Sequence, residues 1–254
     1  MHSTTNSLGD VRVGVVGAGR LGGALVAALS EAGLAVEGPA GRGEAPRGCD
    51  AIVLCVPDAA IPEAAAVAAG AAPLIGHTSG ATPLTALGAG PAFGLHPLQT
   101  FAADRTGLAA FAGAGCAISG SSDAALAFAA GLARTLGMTP FEIDDDGRAA
   151  YHAAASVASN FLVTLAAAAE RIAAGAGLEP HETRALLAPL LRRTVDNLAE
   201  LGPERALTGP VARGDEQTVA VQREAVAEVA PEVLDMFDEL VRRTRALAAA
   251  EANT

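Results

Sequence analysis

Lysine is absent from the 254-residue sequence: all 17 basic side chains are arginines. That removes Schiff-base chemistry, a P-loop lysine and a lysine general acid together. Tryptophan is also absent and aromatics make up only 3% of the chain, against a hydrophobic share of 51%. The core must therefore be built mainly from Ala, Val and Leu, which favours close helix packing, and the Ala-rich segments are good helix formers. The three cysteines, Cys49, Cys55 and Cys116, have no C-x-x-C spacing and lie in or beside apolar segments. They read as buried free thiols in a reducing compartment, and no metal site is expected. Positive charge is scarce too: a net charge of −11 argues against nucleic acid, which needs a basic stripe. Met1 to Asp10 is polar, without the apolar stretch of a signal peptide, and no later segment gives 18 uninterrupted apolar residues. The expectation is a soluble cytoplasmic chain with no membrane partner, long enough for one large domain or two ordinary ones.

What is present is an alternation. Val11 to Val16 (V-R-V-G-V-V) reads as a buried strand, Gly17 to Gly22 as a glycine-rich turn, and the Ala/Leu-rich run to Gly33 as a helix. Leu34 to Ala40 and Ala51 to Val56 are the next strands, the latter stopping at Pro57-Asp58 before a helix over Ala59 to Ala69. Leu74 to Gly76 and Phe93 to His96 are short strand candidates. Cys116 to Ser119, a helix over Ser122 to Leu136 and a strand around Met138 to Ile143 complete the series. Strands alternating with helices predict an α/β fold with a doubly wound parallel sheet. The pattern changes at Asp144-Asp145-Asp146-Gly147; from Arg148 onward only helical stretches appear, broken at Gly175 to Pro180, Gly202-Pro203 and Thr208 to Gly214. The expected division is a Rossmann domain over 1–144 and an all-helical domain over 145–254.

Gly17-Ala18-Gly19-Arg20-Leu21-Gly22 is G-x-G-x-x-G in its required strand-to-helix context, which points to dinucleotide binding. The first glycine allows the tight turn and the second lets backbone N–H groups approach a pyrophosphate. The third lets helix and strand pack closely, and the helix N-terminus favours anions. NAD-preferring sites place an acid about 20 residues further on; here Gly41-Arg42-Gly43 stands there, and Glu37 lies inside the strand. An arginine pairs with a 2′-phosphate that an acid would repel, so NADP is the expected cofactor, with Arg42 as reader and Arg20 or Arg47 as alternatives. Val56-Pro57-Asp58 and His77-Thr78-Ser79-Gly80 both follow strands, at the carboxyl ends where ligands bind. Val56, Pro57 and Thr78 are thus candidates for the cofactor and Ser79 for catalysis, although Thr78 or Ser79 could simply cap a turn.

His96, fixed before Pro97 at a strand end, is placed for proton transfer near neutral pH. His152, Ser156, Ser159 and Asn160 recur at spacings of three and four, on one face of a helix otherwise made of Ala, Val, Leu and Phe. A polar stripe in an apolar setting needs a polar partner or a ligand; His152 and Asn160 are candidate catalytic groups and Ser156 a substrate contact. Leu207 to Asp215 (L-T-G-P-V-A-R-G-D) interrupts the helices, where Arg213 could bind a substrate carboxylate with Asp215 orienting it.

Together these segments resemble a family of Rossmann-like proteins whose C-terminal helical region is the domain of unknown function 2520. The resemblance rests on Gly17 to Gly22, H-T-S-G-A at His77 to Ala81, and G-L-H-P-L-Q-T-F at Gly94 to Phe101. It rests also on Y-H-A-A-A-S-V-A-S-N-F at Tyr151 to Phe161 and L-T-G-P-V-A-R-G-D at Leu207 to Asp215. The family looks like part of the group of pyrroline-carboxylate reductase, prephenate dehydrogenase and the phosphogluconate-type dehydrogenases. That kinship implies nicotinamide chemistry and a homodimer built through the helical domains. The His96-Pro97 pair is similar to the His-Pro segment of prephenate and arogenate dehydrogenases, where the histidine faces the substrate. Phosphogluconate-type dehydrogenases and ketopantoate reductases carry a catalytic lysine on the first helix of the second domain. This chain has none, and His152 stands in a comparable place. Two functions remain open: an NADP-dependent reductase of a small keto or imino acid, ketopantoate-like, or an inactive NADP(H)-binding sensor.

Overall fold

The computed structural model describes residues 8–101 and 107–251. Elements follow in chain order: β1 (Arg12–Val16), α1 (Arg20–Glu31), β2 (Ala35–Ala40), β3 (Ala51–Leu54), α2 (Ile61–Ala68) and β4 (Leu74–His77). Next come β5 (Ala92–Leu98), β6 (Gly115–Gly120), α3 (Asp123–Thr135), β7 (Thr139–Glu142) and α4 (Arg148–Ala158). The seven strands form one sheet in the order β2-β1-β3-β4-β5-β6-β7. Chain direction across the sheet switches at β1, with β2 on one side and β3 on the other, so a ligand crevice opens at the carboxyl ends of β1 and β3.

The sheet is not wholly parallel. β5 and β6 pair antiparallel, Leu95 opposite Ile118 and His96 opposite Ala117, while β6 and β7 run parallel to each other. A parallel crossover normally needs a helix, and the described residues between β5 and β6 hold only a single 3-10 turn, Leu108–Ala110.

Strand alternation sorts the core into two faces. Val13, Val15, Ala51, Val53, Phe93 and Leu95 join α1 and α3 on one face. Ile52, Leu54 and Ala92 join Ile61, Ala65 and Ala68 of α2 on the other. Burial of each such Val, Ile, Leu or Phe contributes roughly 1.5–3 kcal/mol. Because Phe93 and Leu95 point to the α1/α3 face, Gly94 and His96 point to the opposite one. Arg148, the first residue of α4, is tied down there: its Nη2 donates to Ser119 Oγ of β6 at 2.5 Å and its Nε to Asp145 at 2.6 Å.

That anchorage bears on where the chain divides. The structure separates into compact units of 1–159 and 160–254; composition shifts at 144, where the strands end, but α4 packs with the sheet that precedes it. The second unit holds α5 (Asn160–Ala173), α6 (Pro180–Leu201), α7 (Pro203–Ala206), α8 (Glu216–Val229) and α9 (Leu234–Glu251). It buries little of its own: Thr183, Val219, Val226 and Ala230 are its fully buried side chains among the described residues. Phe161, Val163, Leu186, Leu190 and Leu198 stand exposed on α5 and α6. The stretch 145–176 is long and apolar enough, by length and composition, to cross a membrane.

Candidate functional site

The glycine fingerprint turns out to have three separate physical reasons. Gly17 has φ +106, and a Cβ there would overlap the Cys55 carbonyl at the end of β3. A Cβ on Gly22 would overlap the Gly17 carbonyl, so this glycine lets α1 close onto the turn. Gly19 is different: it has ordinary extended backbone and no atom within 4 Å of a would-be Cβ. Gly19 is the N-cap of α1, with no side-chain cap and no acid in the first turn. The free N–H groups of that helix end therefore face open space, which is what a pyrophosphate requires. The residues present fit a dinucleotide. Leu21 sits against the α1/α3 core, while Arg20, its exposed neighbour, opens the helix.

Beside this turn lies a cavity of about 260 Å³ lined by Gly17 and Ala18, Val56 and Pro57, and Arg42. Of the cofactor candidates from the sequence, Gly17, Arg42, Val56 and Pro57 line this cavity, and Gly19, Leu21, Gly22 and Thr78 do not. The Arg42 side chain has no hydrogen bond or ion pair among the described residues and is exposed. Glu37 is directed elsewhere, pairing with Arg12 at 3.0 Å. Arg20 and Arg47 do not line the cavity. Glu44 does, a residue missed in the sequence: its carboxylate accepts the Gly41 N–H at 3.3 Å.

The loop after β4 has mostly architectural work. Thr78 is buried and its hydroxyl donates to the Leu54 carbonyl at 3.4 Å, fastening β4 to β3. Ser79 Oγ accepts from the amides of Ala81 and Thr82 and donates to Thr82 Oγ1 at 2.9 Å. This is the turn-capping role, and it occupies the hydroxyl proposed for catalysis. His77 is fully buried, with Nδ1 accepting the Ser79 N–H at 3.2 Å. Burial first, and the Arg148 guanidinium second, push its imidazolium down to about 4, so the ring is neutral.

Gly80 is the meeting point of the two histidines identified in the sequence. A Cβ there would stand 2.9–3.0 Å from His96 Cε1 and Nε2 and 3.0 Å from His152 Cδ2. The His96 and His152 rings cross edge to face, 6.1 Å apart. Tyr151 joins them, its hydroxyl 2.7 Å from His96 Nδ1 and its ring between His96 and Phe141. Burial, then the neighbouring His152, push His96 down to about 4; burial pushes the Tyr151 phenol up to about 12. Both groups are neutral at physiological pH. Neither Tyr151 nor Arg148 stood out as a site residue in the sequence, since Tyr151 meets His96 and Arg148 meets Ser119 only through the sheet.

The remaining candidates are dispersed. Ser156 is half-buried on α4, but the helix stops at Ala158, Ser159 is its C-cap at φ −114 and ψ −70 with its N–H still bonded to the Ala155 carbonyl, and Asn160 begins α5. The single polar stripe expected from spacing is therefore divided between two helices and two units, with Asn160 exposed in the second. Arg213 is exposed. The Asp215 carboxylate caps α8, accepting from Thr218 N–H at 3.1 Å and Thr218 Oγ1 at 2.7 Å, which holds it below the usual carboxylate range; Arg213 acts on it only as a nearby charge.

Comparison with protein families matches residues 114–244 to the domain of unknown function DUF2520, more than half of the chain. The chain belongs to the DUF2520 family. No curated protein matches the sequence. Among solved structures, a Bacteroides fragilis protein provisionally described as an NADP oxidoreductase superposes with a TM-score of 0.80 at 23% identity, covering 94% of this chain and 100% of the other. A Thermotoga maritima protein gives 0.75 at 24%, covering 94% and 99%. Plasmodium falciparum pyrroline carboxylate reductase with NADP bound gives 0.60 at 12%, covering 95% and 100%. At these identities the likeness is one of fold: this DUF2520 member has a Rossmann-like sheet followed by helices.

Proposed function

We propose that this DUF2520 protein is an NADP-dependent reductase of a small keto or imino acid, ketopantoate-like. The observation that carries the reading is the cavity that joins the fingerprint turn to Arg42. Gly17 and Ala18, which lead into an uncapped helix N-terminus suited to a pyrophosphate, and Arg42, whose unpaired guanidinium suits a 2′-phosphate, line the same cavity. The Plasmodium neighbour, with NADP in a similar fold, supports the same cofactor. The cofactor, when bound, supplies the hydride. His96, with Nε2 beside Gly80, and His152, whose ring edge lies there too, are the candidates for the proton, and exposed Arg213 remains the candidate for the substrate carboxylate. Asn160 and Ser156 are candidates for the same substrate. The three cysteines are all free, which supports a reducing, cytoplasmic setting.

The helical unit supports a homodimer. Its exposed apolar side chains on α5 and α6 flank a groove of about 500 Å³ between Leu162, Val163, Leu187 and Leu191. A second copy covering that face would give the unit the core it lacks alone.

A second reading, an inactive NADP(H) sensor, is favoured by the missing lysine alone. The two separate in one experiment: titrate NADPH and NADH against the purified protein, then follow NADPH oxidation with a panel of 2-keto acids and cyclic imines. The reductase reading expects preferential NADPH binding and turnover of at least one acceptor. Tight NADPH binding without turnover across the panel selects the sensor, and absence of NADPH binding refutes both.

A further inference from the structure

A histidine that faces a hydride acceptor is ordinarily expected to give up its proton as an imidazolium. Several groups face His96: His152, Tyr151 and Arg148 of α4, His77 of β4, and Asp58 after β3. Asp58 favours a charged ring, whereas burial, His152, Arg148 and His77 oppose it, and the ring stays neutral down to about pH 4. A neutral imidazole can still deliver a proton, provided it takes another at the opposite nitrogen in the same event. The structure supplies both ends. Nδ1 lies 2.7 Å from the Tyr151 hydroxyl. Nε2 lies against Gly80, belongs to a half-buried residue, and has no hydrogen-bond partner among the described residues.

We propose that Tyr151 and His96 form a two-proton relay that serves an uncharged acceptor, a C=O or neutral C=N group, beside Gly80. This rests on the reductase reading. The acceptor carbon gains a hydride and its C=O π bond breaks toward oxygen. That oxygen takes the proton from His96 Nε2 while His96 Nδ1 takes the phenolic proton of Tyr151. His96 ends neutral, in the opposite tautomer, and Tyr151 ends as a phenolate that is reprotonated from water. NADPH is oxidised to NADP⁺. A phenol pushed up to about 12 keeps its proton until an alkoxide forms, and transfer to that more basic oxygen is downhill. Arg148 favours the phenolate. By binding Ser119 and Asp145 it also fixes the start of α4, three residues before Tyr151. A permanently charged iminium acceptor needs no proton and gains nothing from the relay. The substrate class is therefore carbonyl, or an imine that arrives unprotonated.

The test is Tyr151→Phe, which retains the ring against Phe141 and removes only the hydroxyl. One arm uses the protein alone: ¹⁵N NMR of histidine-labelled wild type should show His96 as the neutral Nε2–H tautomer across about pH 5 to 8. Tyr151→Phe should remove the hydrogen-bond shift at Nδ1. A wild-type His96 that is charged, or protonated at Nδ1, overturns the relay. The second arm compares a 2-keto acid with an N-methylated cyclic iminium as acceptors. The variant should lose about 10²-fold in kcat on the keto acid and far less on the cation, with NADPH affinity retained. Equal losses on both, or none on the keto acid, also overturn it. If wild type reduces no member of the 2-keto acid and cyclic imine panel, the reductase reading fails, and the NMR arm still decides whether Tyr151 sets the His96 tautomer.

Discussion

Replacing Gly19 by Asp separates the cofactor site from the fold more cleanly than any other change in the fingerprint. No atom lies within 4 Å of the added Cβ, and the backbone at φ −73, ψ −177 suits any residue, so the variant should fold. Aspartate is a preferred N-cap and would if anything stabilise α1, by a few tenths of a kcal/mol over glycine. For the ligand the effect is opposite. A carboxylate about 5 Å from a phosphate charge, at an effective dielectric of about 20 to 80, costs about 0.8–3.3 kcal/mol for each charge it meets. With two phosphate charges and the helix N–H groups now capped by the aspartate, the loss should be about 3 kcal/mol, or roughly 10²-fold in Kd. Fluorescence titration of NADPH checks this beside a thermal melt, which should match wild type. Gly22→Ala is the contrasting variant: its Cβ would overlap the Gly17 carbonyl, so its melt should fall along with its binding. An NADPH Kd within about threefold of wild type in a folded Gly19→Asp protein would refute the placement of the cofactor.

Arg42→Ala should weaken NADPH by about 10- to 100-fold and NADH far less, since a charge-assisted contact contributes about 1.5–3 kcal/mol; equal losses for both cofactors would move the 2′-phosphate to Arg20 or Arg47. Leu186 and Leu190, 64% and 61% exposed on α6, should lie in the dimer interface. Sedimentation should therefore give a dimer for wild type and a folded monomer for Leu190→Asp, and a monomeric wild type would refute that face. His77 carries its proton less readily folded than unfolded, so the unfolded chain takes up the proton first and stability falls as pH drops from about 6.5 to about 4. Urea melts across that window should show His77→Asn losing less stability on acidification than wild type, and identical slopes would sink the assignment.

How much of this was legible in the sequence depended on the range of the contacts involved. The strand, fingerprint and helix at Val11 to Gly33 appear within a residue or two of their expected limits, because glycine spacing and apolar runs are local signals. The antiparallel turn between β5 and β6 was not legible, since strand direction depends on the connection and not on the strand's own pattern. Spacing alone placed His152 through Asn160 on one helix, and nothing in the Ala-rich run announced the break at Ser159. Ser79 shows the opposite case: both its readings were available, and only the three hydrogen bonds within its turn decide for the cap.

The pairing of His96 with Tyr151 was hidden in the sequence because it is a long-range contact. His96 and Tyr151 are 55 residues apart, and their 2.7 Å contact exists only because strand alternation turns His96 to the face on which α4 lies. Two glycines make that approach possible. A Cβ on Gly80 would crowd both histidine rings, and one on Gly94 would meet Ser119 Oγ at 2.5 Å and Arg148 Nη2 at 3.2 Å. In H-T-S-G-A and G-L-H-P-L the glycines therefore have a common purpose that neither motif reveals alone: they let α4 settle on the sheet with its tyrosine against a histidine. The missing lysine takes its place in the same account. In the relay proposed above, a neutral histidine backed by a phenol would supply the proton without an ammonium group on this helix and without burying a new positive charge.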